Sequence, residues 1–157
     1  MTMPAPFTAA AAAGADRPVL TFYDDATGER TELSAGALSD WAARAARLLH
    51  EGCGLTAGDR VAVLLPPHWQ TAAVLMGAWS AGITVSFRLA ATAGLPALGT
   101  NEDEPFDAVF VARNRLDDWL DHVPQAHHRF VLGLAPGAAP LADVPDAVKS
   151  STSPRVR

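Results

Sequence analysis

Leu55-Thr-Ala-Gly58-Asp59-Arg60-Val-Ala-Val-Leu-Leu65-Pro66-Pro67-His68-Trp-Gln-Thr-Ala-Ala-Val-Leu-Met-Gly77-Ala-Trp-Ser-Ala-Gly82-Ile-Thr-Val-Ser86 decides the fold class. Gly58-Asp59 is turn chemistry, and it launches a short apolar run, Arg60 to Leu65, closed by Pro66-Pro67. An apolar, partly β-branched run of that length between breakers predicts a strand buried on both faces. His68 to Ala81 is apolar almost all round and stops at Gly82, which predicts a buried helix with a glycine terminus. Ile83 to Ser86 then favours a second buried strand. Strand, helix and strand in this order predict a βαβ unit.

Composition narrows the classes of function. The chain has 157 residues, 49% of them hydrophobic and 18% charged, enough for one domain with a real core. A net charge of −5 without an arginine-rich stripe speaks against nucleic acid and against an anionic membrane as partner. No apolar run is long enough to span a bilayer. Met1 to Ala15 carries no basic residue ahead of its apolar run and so fails as a secretion signal. With Cys53 as the single cysteine, no internal disulfide can form, and a reducing, cytoplasmic setting is expected. Lysine occurs once, at Lys149, so chemistry that needs a lysine has one candidate.

Outward from the central stretch, residues 1–16 read as a flexible leader, 17–134 as a single α/β domain, and 135–157 as a disordered tail rich in Pro, Gly, Ala and Ser. Val19 to Tyr23 and Arg30 to Leu33 form the arms of a β-hairpin around Asp24-Asp25-Ala-Thr-Gly28. Ser34 is placed to cap a helix whose apolar face carries Leu38, Trp41, Ala42, Ala45, Leu48 and Leu49. Asp40 with Arg44, and Arg47 with Glu51, stand at ion-pair spacing on its outer side. Beyond residue 86 the expected elements are a buried strand at Phe106 to Ala112, a helix at Arg115 to Val123 and a last strand at Arg129 to Leu134. The fold class is α/β: an N-terminal β-hairpin, then βαβ units forming a mainly parallel sheet with flanking helices.

Each motif that invites chemistry has a plainer explanation. Gly52-Cys53-Gly54 resembles part of a phosphate loop, but it follows a helix where a dinucleotide fingerprint follows a strand. It reads as a helix stop that needs left-handed backbone. Cys53 itself reads as a small apolar residue at that stop. Asp24 and Asp25 read as turn formers, and Glu102-Asp103-Glu104 as a solvated loop. His122, His127 and His128, with Asp118 or Asp121, match no zinc-ligand spacing and read as surface residues. Trp41, Trp69, Trp79 and Trp119 read as core and interface anchors. No catalytic, cofactor-binding or metal-ligating residue is assigned.

Residues 18 to 87 resemble the opening of the adenylate-forming superfamily, the acyl-CoA synthetases, luciferases and peptide-synthetase adenylation domains. The resemblance rests on the hairpin of Thr21 to Leu33, the helix ending at Leu48 to Leu55, Gly58-Asp-Arg-Val-Ala62, and Pro66 to Gly82. It implies the scaffold end of such an enzyme. In the family, a glycine-rich Ser/Thr loop with a lysine grips ATP phosphates. Later motifs bind adenine, ribose and magnesium, and a lysine from a small C-terminal domain stabilises the attacking carboxylate. Lys149-Ser-Ser-Thr-Ser-Pro-Arg155 is similar in order to the phosphate loop. It lacks the glycines that let backbone approach a phosphate, and Arg155 stands where the family has lysine. The chain most resembles short stand-alone members of the superfamily that lack the catalytic motifs.

Three functional readings stay open. The first is a non-catalytic domain acting by protein or ligand binding, with a protein partner or self-association expected because unpaired sheet edges favour it. The second is one half of a split acyl- or aminoacyl-adenylating enzyme completed by a partner chain. The third is a small-molecule module for a nucleotide (ATP or AMP) or an acyl ligand, bound at the carboxyl ends of the strands.

Overall fold

The computed structural model describes residues 17–87, 105–116 and 123–138. The leader, the acidic triplet 102–104, Asp117 to His122 with Trp119, and the tail from 139 with Lys149 and Arg155 lie outside the described residues. The described parts of residues 1–58 and 67–84 make one compact unit, and those of 59–66 and 85–157 another.

The first unit opens with the hairpin, β1 (Pro18–Asp24) and β2 (Glu29–Ser34), paired antiparallel with Phe22 opposite Thr31 and Asp24 opposite Glu29. Helix α1 (Ala35–Arg47) follows at once. Ser34 Oγ accepts from the Ala37 N–H at 3.2 Å, satisfying one of the donors that a helix start leaves open. Arg44 and Arg47 fall in the last turn, where cations suit the helix dipole. Arg44, expected to pair with Asp40, lies with its guanidinium carbon 4.9 Å from the Trp41 ring centre.

The end of this helix departs from expectation. Leu48–Gly52 winds as a wider π-turn, in which the Cys53 and Gly54 amides bond to the Leu48 and His50 carbonyls. Buried Leu38, Ala42, Ala46 and Leu49 keep helical spacing into this turn, while Leu48, assigned to the same apolar face, lies beside that stripe and is 42% exposed. Gly54 supplies the left-handed residue at φ +70, whereas Gly52 belongs to the π-turn and is not left-handed.

Helix α2 (Trp69–Ser80) packs against α1. It ends in a Schellman motif, with the Gly82 N–H bonded to the Trp79 carbonyl and the Ile83 N–H to the Ala78 carbonyl, both at 3.0 Å. Gly82 sits at φ +72, and a Cβ there would stand 2.9 Å from the Ala57 Cβ, so the helix stop needs glycine twice over.

The second unit holds the main sheet, apart from Thr84 at its boundary. Its strands β3 (Arg60–Leu64), β4 (Thr84–Phe87), β5 (Phe106–Ala112) and β6 (Ala126–Leu132) stand in the order β4-β3-β5-β6, and the β3–β5 and β5–β6 pairings are parallel. Val61, Val63, Val109 and Val111 are among its fully buried side chains, consistent with strands covered on both faces. Ala62, Leu64, Phe106, Val109, Val111, Leu116 and Ala126 form one apolar cluster. Phe110 and Phe130 are register partners whose rings stack 4.8 Å apart.

The α/β class is as read from the sequence, with two corrections of detail. The strand after Gly82 is not buried on both faces: Ile83 is buried ahead of it, but Thr84 is exposed and Val85 and Ser86 are half-buried, as suits a strand at the sheet edge. The last strand runs Ala126–Leu132, not Arg129 to Leu134. Ala126 and His128 pair with Phe106 and Ala108, which draws the histidines into the ladder, while Leu134 at φ +52 has left it.

Candidate functional site

A group of buried polar side chains in the first unit joins the hairpin to the start of α2. Glu29 begins β2 and His68 immediately precedes α2, and their side chains are only 5% and 6% exposed. One Glu29 oxygen, Oε1, accepts from the Thr31 hydroxyl at 2.6 Å and from the Trp69 indole N–H at 3.3 Å. Its other oxygen lies 3.9 Å from His68 Nε2. On the far side of the ring, His68 Nδ1 accepts from the Gln70 N–H at 3.1 Å, so the imidazole is the N-cap of α2. Phe22 lies against the imidazole with ring centres 4.4 Å apart, and Trp41 meets Trp69 edge-on at 5.3 Å.

Burial lowers the His68 pKa from its ordinary value, against the pull of the Glu29 and Asp24 carboxylates, so the ring is neutral at pH 7. With Nδ1 accepting, the neutral ring carries its proton on Nε2. That nitrogen is buried and has no hydrogen-bond partner among the described residues. A carboxylate and an imidazole at this range are the elements of an acid–base pair. Here both are committed to structure: the carboxylate to Thr31 and Trp69, the ring to the helix start.

The residues singled out in the sequence fall elsewhere. Asp24 closes the hairpin turn, its Oδ1 accepting from the Ala26 N–H at 2.9 Å and its Oδ2 from the Thr27 hydroxyl at 2.8 Å. The Thr27 bond first, then the Ala26 amide, holds its pKa below the usual carboxylate value. Cys53 sits just past the π-turn, and burial pushes its thiol pKa up, away from the reactive thiolate. His127 and His128 are consecutive residues of β6 and so point to opposite faces of the strand. Among the described residues no group of three or more His, Cys, Asp or Glu side chains could hold a metal ion. No helix among them is long and apolar enough to cross a membrane.

Sequence reasoning passed over Glu29, His68 and Thr31, because none stands in a recognisable motif. One signal was present: a polar residue directly after Pro66-Pro67 and directly before an apolar helix is where an N-cap belongs.

In the second unit, Asp107 Oδ2 accepts from the Arg60 N–H at 2.8 Å and so ties the start of β3 to β5. The Arg60 guanidinium carbon lies 4.7 Å from the Phe106 ring centre.

Comparison with known proteins places this architecture. A curated Mycobacterium tuberculosis protein, named only for its sequence family, is 39% identical over 134 residues, covering 83% of this chain and 49% of its own length. The chain thus spans about half the length of that relative. The Brucella canis acyl-CoA synthetase superposes with a TM-score of 0.58 at 27% identity, over 88% of this chain and 26% of that one. The inhibitor-bound N-terminal domain of FACL13 from Mycobacterium tuberculosis superposes with a TM-score of 0.60 at 20% identity, over 85% of this chain and 35% of that one, a likeness of fold. The family described as AMP-binding enzyme matches residues 7–95, more than half of the chain. The chain belongs to the AMP-binding enzyme family and has the fold found at the N-terminal end of acyl-CoA synthetases.

Proposed function

We propose that this chain is a non-catalytic domain of the adenylate-forming type that acts by binding a protein partner or a ligand. One observation carries the reading. Among the described residues, Glu29, His68 and Asp107, buried or half-buried groups of the kind that does acid–base work, are spent on holding structural elements together. Adenylation draws most of its rate from preorganised charge at the reacting phosphate and carboxylate, and these residues are not arranged for that. Trp79, 56% exposed on α2, is the kind of aromatic surface that binding uses.

ATP–pyrophosphate exchange with a panel of carboxylic acids tests it. The expected result is no exchange above background, and exchange by the chain alone overturns the reading. Sedimentation and co-purification test the binding half: association is expected, and a compact monomer with no companion counts against it. Calorimetry with ATP, AMP and acyl-CoA identifies a small-molecule role.

A second reading is favoured by the 27% identity to the Brucella canis synthetase. In it, the chain supplies the front of an acyl- or aminoacyl-adenylating site that a partner chain completes. Exchange that appears only on adding a co-purifying protein supports this reading, and no exchange in any mixture removes it.

A further inference from the structure

We propose that His68 is a proton-operated cap, whose neutral imidazole holds the first turn of α2 and whose protonation releases that turn and hands the ring to Glu29. The geometry assigns the two ring nitrogens different tasks. Nδ1 accepts the Gln70 N–H at 3.1 Å, a bond it makes only while it keeps its lone pair. Nε2 faces a Glu29 oxygen at 3.9 Å, just beyond hydrogen-bond reach, and is buried with no hydrogen-bond partner among the described residues. A proton added to the ring goes onto Nδ1 and turns it from acceptor to donor. Two N–H groups then face each other at the helix start, and the cap is lost. The imidazolium gains in exchange an ion pair with Glu29, and closing the gap to it draws the ring away from Gln70.

The charged groups around the ring all favour that exchange. Among the described residues the charges that act on the ring are Glu29 on β2 and Asp24 at the end of β1, both acidic, and the two rings packed on it, Phe22 on β1 and Trp69 on α2, do not titrate in this range. What holds the ring neutral is burial, which places its midpoint below the ordinary histidine value of 6.5. The device therefore rests in the capped state at neutral pH and opens on mild acidification. A serine or asparagine cap, which does not titrate there, has no such response.

The test is a nuclear magnetic resonance titration of the full chain from about pH 8 to about pH 4.5, following the His68 ring nitrogens and the Gln70 amide together. At the alkaline end, Nδ1 is expected to be unprotonated and Nε2 protonated. On acidification the Gln70 amide should lose its hydrogen-bonded shift with the same midpoint as the ring. Its protection from solvent exchange should fall by up to about tenfold per pH unit below that midpoint. In Glu29→Gln the ring midpoint should move lower still, because the carboxylate that favours the imidazolium is gone. His68→Asn keeps a side-chain acceptor for the helix but no titrating group, and should leave the Gln70 amide flat across the range. A ring protonated on Nδ1 at neutral pH overturns the proposal, and so does a Gln70 amide that ignores the ring's titration. If His68→Asn does not fold, the wild-type titration decides the matter by itself.

Discussion

Gly77 of α2 approaches α1 so closely that a Cβ on it would stand 2.6 Å from the Ala42 carbonyl oxygen, 2.7 Å from the Ala45 Cβ and 2.9 Å from the Ala46 amide nitrogen. Two of these three atoms are backbone, so no side-chain rotation can make room. The alanines of α1 and the glycine of α2 together set how near the two helix axes come.

Gly77→Ala is therefore expected to destabilise the protein even though alanine is the better helix former. Overpacking costs about 1–3 kcal/mol, the upper end applying where backbone is struck, and helix propensity returns about 1 kcal/mol, leaving a net loss of about 2 kcal/mol. Urea denaturation checks this through a lower midpoint, and Gly77→Leu should fall further. An unchanged or raised midpoint for Gly77→Ala would mean the helices part without cost.

Leu48 and Leu49 make a second, paired test. Leu49→Ala removes a fully buried side chain and should cost about 2–4 kcal/mol, whereas Leu48→Ala should cost less than about 1 kcal/mol. Leu49 continues the buried stripe of Ala42 and Ala46, whereas Leu48 stands roughly 100° round the helix from it. Equal losses would show that Leu48 is packed as well, against its exposure here.

That pair also marks where the sequence stops being legible. The strands β3 and β5, the cap at Ser34 and the helix stop at Gly82 follow from local chemistry: runs of valine, a hydroxyl before an alanine-rich segment, a glycine after an apolar one. Each is decided within a few residues. The π-turn depends on how the end of α1 must feed Leu55, whose N–H bonds back to the Leu49 carbonyl at 3.0 Å, and no periodicity reports that. The start of β6 is similar, since its histidines become strand residues only because β5 lies beside them. The polar group around Glu29 was hidden for the same reason. Glu29 and Trp69 are 40 residues apart in the chain, and nothing local announces that a carboxylate after one turn will meet an indole after another.

Asp24 predicts the acid limb of the stability curve. Its carboxylate accepts from Thr27 and Ala26 in the folded turn, and its pKa lies below the ordinary 3.8. The folded state thus binds this proton more weakly than the unfolded state does. The stabilisation is complete above that ordinary value and is lost as pH falls through the folded one. Denaturation midpoints of the wild type and of Asp24→Ala should differ at about pH 6 and draw together as pH falls below the ordinary carboxylate value. A gap that persists in acid would show that the side chain acts through something other than its charge. The His68 response lies at higher pH and is absent from His68→Asn, so the two limbs can be read apart.

Asp107 is the reason β3 begins where it does. The parallel register between β3 and β5 starts at Val61 opposite Ala108, and the Arg60 N–H, one residue earlier, goes to the Asp107 carboxylate at 2.8 Å. A half-buried amide left without an acceptor costs more than the bond itself contributes, and bonds to charged acceptors are the stronger kind. Asp107→Ala should therefore lose about 1.5–3 kcal/mol. Asp107→Asn keeps an acceptor oxygen of the same reach and should lose less than about 1 kcal/mol. Both variants keep Phe106 and its contact with Arg60, and the difference between them reports the loss of the acceptor at position 107. Urea unfolding with an unchanged slope measures it. If asparagine proves as damaging as alanine, the negative charge matters at this position and the hydrogen bond alone does not account for it.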